Sequence, residues 1–185
     1  ALTNAEVEAL KQAIINAENA LNGDQNVTKA KGKADQFIDN LENLNPNQRN
    51  KAHQLVAQAD DLDTLNNIIN NQIDLDDVMK ALKDIVNNDV PNSENSINYQ
   101  NADDDTKANF TQAKDQAIKL LKGTDDEVGD TNDIQGAIQA LKDAMNQLNG
   151  DARLQDAKNK AIQSINKTLA DKLNDIDNLS LIHIS

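Results

Sequence analysis

The chain has no cysteine and no tryptophan, only two prolines and six glycines, and Phe37, Tyr99 and Phe110 as its whole aromatic complement in 185 residues. Without cysteine there is no disulfide, no zinc–thiolate site and no thiol nucleophile. The chain must hold by packing alone, which suits an exported protein that folds without oxidases. So few aromatics argue against a β-sandwich, which leans on aromatic and β-branched residues. Few prolines and glycines argue for few, long elements. Bases are also scarce: 18 Lys and Arg stand against 31 acids, a net charge of −13. Nucleic acid and anionic membranes both require clustered Lys and Arg, so neither is an expected partner. Lys29, Lys31 and Lys33 are a solvated helix face, too few to change this. No apolar run is long enough to span a membrane.

Chemistry-bearing patterns are missing as well. There is no Gly-rich phosphate loop, nucleophile elbow or paired His–acid constellation. His53 and His183 have no second histidine at metal spacing, and His53 reads as a surface or boundary residue. The acidic stretch Asp125-Asp126-Glu127-Val128-Gly129-Asp130 invites a calcium reading, but its glycine falls fifth and its twelfth residue is Gly136, where an EF-hand needs Gly sixth and Glu twelfth. It reads instead as a solvated loop with N-cap acids. We expect no enzyme activity, no metal and no cofactor.

What is present is a repeat. Leu21-Asn22-Gly23-Asp24 returns as Leu148-Asn149-Gly150-Asp151, an offset of 127. Ala30-Lys31 returns as Ala157-Lys158, Lys33-Ala34 as Lys160-Ala161, and Gln36 and Ile38 as Gln163 and Ile165. The chain is therefore expected to be a window, slightly longer than one period, from a longer array that works by reach and multiplicity. Ala1 opens directly on helical pattern, as an internal segment would.

Between the copies the pattern is helical. Val7, Leu10, Ile14, Ala17 and Leu21 step by three and four along one face. Asn22-Gly23 closes that helix, and Asp24 is placed to cap the next. A second stripe runs from Val27 to Leu41, and Asn45-Pro46 supplies an N-cap and a first-turn proline for a third helix. From about Leu62 to Asn88 a long helix carries two stripes. Leu62, Leu65, Ile69 and Ile73 face one way; Leu75, Met79, Leu82 and Val86 face roughly 120° away at about 100° per residue. One helix with two apolar faces is a helix shared by two bundles. Residues 89–103 are predicted to be the one long irregular stretch. Helix resumes near Asp103, stops at Lys122-Gly123, and returns through Ile134, Ile138, Leu141, Met145 and Leu148. The expected architecture is an all-α, elongated rod of tandem three-helix bundles. Residues 24–74 form one bundle and 75–150 the next. Residues 1–23 are the last helix of a preceding unit and 151–176 the first of a following one. Both flanking helices are expected to lack their native partners. The tail 177–185 breaks the pattern, as a cloning scar or frayed end would.

Two stretches carry a resemblance. Lys29 to Ala52, Lys-Ala-Lys-Gly-Lys-Ala-Asp-Gln-Phe-Ile-Asp-Asn-Leu-Glu-Asn-Leu-Asn-Pro-Asn-Gln-Arg-Asn-Lys-Ala, resembles the GA module, a three-helix unit named for albumin binding. Ile97-Asn-Tyr-Gln-Asn-Ala-Asp103 through Phe110, with the helix ending Leu148-Asn-Gly-Asp151, resembles the FIVAR module. Alternating units at this period are similar to the giant staphylococcal extracellular matrix-binding adhesins, over nearly all of residues 1–176. The resemblance implies a bacterial cell-surface, cell-wall-associated protein that binds host matrix, chiefly fibronectin, with roles in attachment, biofilm and virulence. Albumin is the weaker expectation. Albumin-binding GA modules place aromatic and apolar residues at the start of the second helix, where this chain has the polar Pro46 to Asn50. We expect a monomeric segment that acts through many weak contacts. A purely structural stalk and a GA-type albumin binder are the alternatives. A ligand contact, if the irregular stretch carries one, falls on Tyr99 and Asn101; otherwise Tyr99 pins that stretch onto the bundle.

Overall fold

The computed structural model describes residues 3–19, 23–124 and 128–184, and every regular element among them is helical. Leu21 and Asn22 of the first repeat junction, and Asp125 to Glu127 of the acidic loop, lie outside the described residues. The order is α1 (Asn4–Asn19), α2 (Asp24–Asn40), α3 (Pro46–Gln58), α4 (Leu62–Asp84), a π-helical turn (Ile85–Asp89), α5 (Val90–Glu94), α6 (Ile97–Gln100), α7 (Asp104–Lys122), α8 (Thr131–Gln147) and α9 (Gly150–Ile184).

The first bundle is α2, α3 and the first half of α4. Ala30, Ala34, Phe37 and Ile38 of α2, Ala52 and Val56 of α3, and Leu65 and Ile69 of α4 are buried. The second bundle is the rest of α4 with α7 and α8, where Met79, Leu82, Phe110, Leu120, Ile134 and Leu141 are buried. Each large apolar side chain removed from water contributes roughly 1.5–3 kcal/mol. The two cores meet along α4 in one continuous apolar cluster, so the two predicted stripes of that helix serve two bundles and the molecule is an elongated rod.

Helix limits follow from local chemistry. Asn45 caps α3, its side chain accepting from the Gln48 amide while the Gln48 side chain accepts from the Asn45 amide, with Pro46 at the first helical position. Asp61, Asp103 and Asp130 cap α4, α7 and α8 through the amides of Thr64, Thr106 and Asp133.

Several expectations are corrected. Asp24 does not cap α2; Gly23 holds the cap position and no side chain bonds there. Residues 89–103 are not an irregular stretch: α4, the π-turn and α5 form one helical run from 62 to 94, and α6 follows after a short break. Pro91 misled the sequence pattern, because a proline lacks the amide and crowds the preceding turn. The π-turn accommodates it by lengthening the ladder just upstream, where the Val90 amide donates to the Ile85 carbonyl five residues back. The tail does not leave the helix, since α9 continues through Leu179 to Ile184. Within this chain α1 lies against α2 and α4 and buries Ile14.

Candidate functional site

The described surface has no deep cleft that gathers reactive groups. One depression, about 620 Å³, is an open furrow along α7 lined by Ala108, Gln112, Asp115 and Lys119. A cleft of about 390 Å³ lies between α1, the end of α2 and α4, over Val7, Leu41 and Ile73. Its Asp76 is engaged, accepting from the Asn43 amide and side chain at 2.8 and 2.9 Å. Among the described residues no group of three or more His, Asp or Glu is placed to hold a metal ion, and no helix is long and apolar enough to cross a membrane.

His53 on α3 bridges two carboxylates of α2, with Nδ1 2.7 Å from Asp35 and Nε2 2.9 Å from Asp39. Only the doubly protonated ring can donate to both. The Asp35 hydrogen bond, with help from Asp39, accordingly raises the His53 pKa above its ordinary value. The pair ties α3 to α2 at the surface, as a boundary residue would.

The polar groups that are buried serve the joints between units. At the first joint Asn45 and Gln48 are almost wholly covered, at 2% and 1% exposure. From the cap and first turn of α3 they reach the end of α7 and the residues just before α8. Asn45 Nδ2 donates to the Leu120 carbonyl at 2.7 Å and the Val128 carbonyl at 3.2 Å, Asn47 Nδ2 to Gly123 at 2.9 Å, and Gln48 Nε2 to Gly129 at 3.0 Å. Orphan carbonyls at the end of one bundle are thus satisfied by amide side chains of the other. Asn45, Asn47 and Gln48 at the start of α3 face a joint within the chain, while Pro46 and Asn50 stay exposed.

The second joint brings the two signature motifs together. Asn98 Nδ2 donates to the Leu148 carbonyl at 3.1 Å, and its Oδ1 accepts from the Asp151 amide at 2.9 Å. Asn149 Oδ1 accepts from the Asp103 amide at 3.1 Å, while its Nδ2 donates to the Asp103 carboxylate at 2.6 Å. Arg153 Nε reaches the Asn101 carbonyl at 3.0 Å. Gly150 sits in the middle, buried, and a Cβ there would lie 1.9 Å from the Asn98 carbonyl oxygen. Only glycine fits so close an approach. The hydrogen bonds to Thr106 and Asn149 hold the Asp103 carboxyl below the usual carboxylate range. Of the two residues the sequence singled out, Tyr99 packs edge-on to Phe110 with centroids 5.2 Å apart and Lys107 over its ring, and Asn101 gives its carbonyl to Arg153 and its amide side chain to Ile97. Both work within the chain.

Comparison with known proteins matches this architecture. The GA module model covers residues 24–78 and the FIVAR domain model residues 78–149. The chain belongs to the GA–FIVAR repeat family. It is 54% identical over 177 residues, 96% of its length, to extracellular matrix-binding protein EbhA of Staphylococcus aureus strain Newman, and equally to extracellular matrix-binding protein ebh of strain MW2. It spans only 5% and 2% of those two relatives. The crystal structure of an EbhA domain from the same species shares its fold with a TM-score of 0.73 at 30% identity, over 89% of this chain and 66% of that one. A structure of Embp, the matrix-binding protein that mediates Staphylococcus epidermidis adherence to fibronectin, gives 0.63 at 25% identity, over 68% of this chain and 99% of that one.

In GA–FIVAR terms, the boundary between the two matched units, at residue 78, falls inside α4, so the two units divide one helix between them. The sequence marked Asn45 as an N-cap and Asn98 as part of the FIVAR signature, but gave none of Asn45, Gln48 and Asn98 a role in a joint. For Asn45 and Gln48 the local signal is the Asn-Pro-x-Gln spacing that marks a capping box. Their second set of bonds, to the distant carbonyls of Leu120, Val128 and Gly129, leaves no periodic trace.

Proposed function

We propose that this GA–FIVAR chain is a repeat segment of a bacterial cell-surface, cell-wall-associated adhesin that binds host extracellular matrix, chiefly fibronectin, through many weak contacts. The observation that carries the proposal is 54% identity along 96% of the chain to proteins that bind extracellular matrix. The fibronectin assignment is supported by likeness to the Embp structure. The segment acts as a monomer within its array, and its role is attachment and biofilm formation. Tethered copies raise effective concentration, so contacts too weak to matter singly gain avidity in tandem.

The test is a fibronectin titration against one, two and four repeats. Apparent affinity rises steeply with copy number. No binding above a scrambled helical control, in the single repeat and the tandems alike, would remove the proposal. Tyr99→Ser separates ligand contact from packing at the residue first singled out: with its ring on Phe110, stability falls and fibronectin binding per folded molecule stays unchanged.

A structural stalk is the second reading. What favours it is that the signature residues Asn98, Asp103, Asn149 and Gly150 are consumed in a joint. Albumin binding fares worse, since Asn47 and Gln48 at the start of α3 are taken up by the Gly123 and Gly129 carbonyls and the polar residues there offer no apolar anchor of the kind a tight interface needs. Calorimetry with albumin is expected to give no heat of binding.

A further inference from the structure

The Asn98–Asp103 turn and the Leu148–Asp151 tetrapeptide stand on opposite sides of the α7–α8 hairpin in sequence, yet they meet through side chains at both edges. We propose that residues 98–103 form a binding cradle whose ligand is the Leu-Asn-Gly-Asp segment of the repeat itself, and that this cradle fixes the direction in which the next GA-type first helix leaves a FIVAR unit.

Recognition is specific at every position of the tetrapeptide. The Leu148 side chain is buried in the bundle, and its carbonyl is held by Asn98. Asn149 exchanges two hydrogen bonds with the backbone amide and carboxylate of Asp103. Gly150 admits the Asn98 and Ala102 backbone to distances no side chain allows. The Asp151 amide, one of the first-turn donors that a helix leaves unpaired, is taken by Asn98. Asn98 and Asn149 thus each clamp with both ends of their amide, so the peptide can neither slide nor rotate without breaking two bonds together. Arg153, one turn into α9, adds a bond to the Asn101 carbonyl, which fixes the azimuth of the helix as well as its starting point. By the offset of the repeat, α9 corresponds to α2, the first helix of the GA bundle. The cradle therefore passes orientation from each FIVAR unit to the GA unit after it, while α4, continuous across the other boundary, passes it from GA to FIVAR.

The chain has no cysteine, so pairs of spin labels can be placed freely. One pair, Asp115→Cys on α7 with Gln163→Cys on α9, reports across the cradle. Another, Lys33→Cys with Asp115→Cys, reports across α4. The parent gives one narrow distance peak for each. Asn149→Ala and Asn98→Ala broaden the first peak severalfold and leave the second unchanged, with helix content preserved by circular dichroism. Gly150→Ala broadens it further, and because that variant also strains the backbone around it, the two asparagine variants carry the decision. An unchanged first peak in both overturns the proposal. Broadening of both peaks assigns the residues to bundle stability alone and overturns it equally.

Discussion

Gly23 and Gly150 hold the same place in two copies of one repeat, yet the backbone treats them differently. Gly23 has φ +54° and ψ −136°, and nothing lies within 4 Å of where its Cβ would be. Gly150 opens a helix and is pressed against the Asn98 carbonyl. The tetrapeptide is identical, so it does not dictate its own conformation. The Asn98–Asp103 cradle lies before the second copy and has no counterpart before the first in this chain. A tertiary partner decides the local geometry, as it commonly does where propensity is weak. The helices that follow diverge as well. Asn45 and Pro46 end the α2 stripe, but the residues at the same offset in the second copy are Lys172 and Leu173, which neither cap nor break, and α9 runs straight through. Phe37, the anchor of α2, is replaced by Ser164, and the apolar residues of α9 from Ile162 to Ile176 stay exposed.

The sharpest way to break this comparison is to add one methyl group at each glycine. Gly150→Ala drives a carbon into backbone, and over-packing of that severity costs on the order of 3 kcal/mol. Gly23→Ala meets open space but must hold a positive φ, a strain of ~1 kcal/mol. Urea titration of the two variants gives both numbers. Equal costs would mean that the cradle adds nothing to the tetrapeptide.

The helices were legible because their cores repeat locally. The 3–4 stripes of α2, α7 and α8 and the two faces of α4 all appear in the order of residues, and Asn45-Pro46 announces its own break. The stretch from Asp89 to Asp103 was read as irregular because Pro91, Asn92, Ser93 and Asn95 are all turn formers. What overrides them is a π-turn that absorbs the proline and burial of Val90 and Ala102. The joints were illegible for a different reason. Each signature motif was visible alone, but their mutual recognition depends on hydrogen bonds that reach across the whole α7–α8 hairpin, and no helical period records such a pairing. Tyr99 stood out as a lone aromatic in an apparent loop, and Phe110, its ring partner one helix later, could have been matched to it only in space.

The two joints also differ in how dry they are, which ranks the next substitutions. Gln48 is buried and bonds both to Asn45 and to Gly129. Gln48→Ala strands a buried amide and a buried carbonyl, at a cost of about 2 kcal/mol. Asn149 is half-buried, so water can replace part of what Asn149→Ala removes, and the loss is nearer to about 1 kcal/mol. Urea midpoints at matched slopes test the order. If Asn149→Ala proved the costlier, the second joint would be the tighter one and the ranking would reverse.

The smallest expected effect separates α2 from α9 by charge. His53 bridges Asp35 and Asp39 in the first copy; the equivalent residues in the second are Ser180, Ile162 and Asn166, which cannot hold a protonated ring. Because folding raises the His53 pKa, its stabilisation is complete below the unfolded value of about 6.5 and is lost as pH rises through the folded one. At much lower pH the trend reverses, since Asp61 and Asp103, held low first by the Thr64 and Thr106 amides, are stabilising above their unfolded values and lose that as pH falls through the folded ones. Thermal midpoints at about pH 5 and about pH 8 straddle the histidine step. The parent is more stable at the lower of the two, and His53→Gln removes most of that difference by lowering the acid midpoint while leaving the alkaline one nearly in place. A parent-like difference in the variant would move the pH dependence away from α2 and α3, and the two copies would then not differ in this respect.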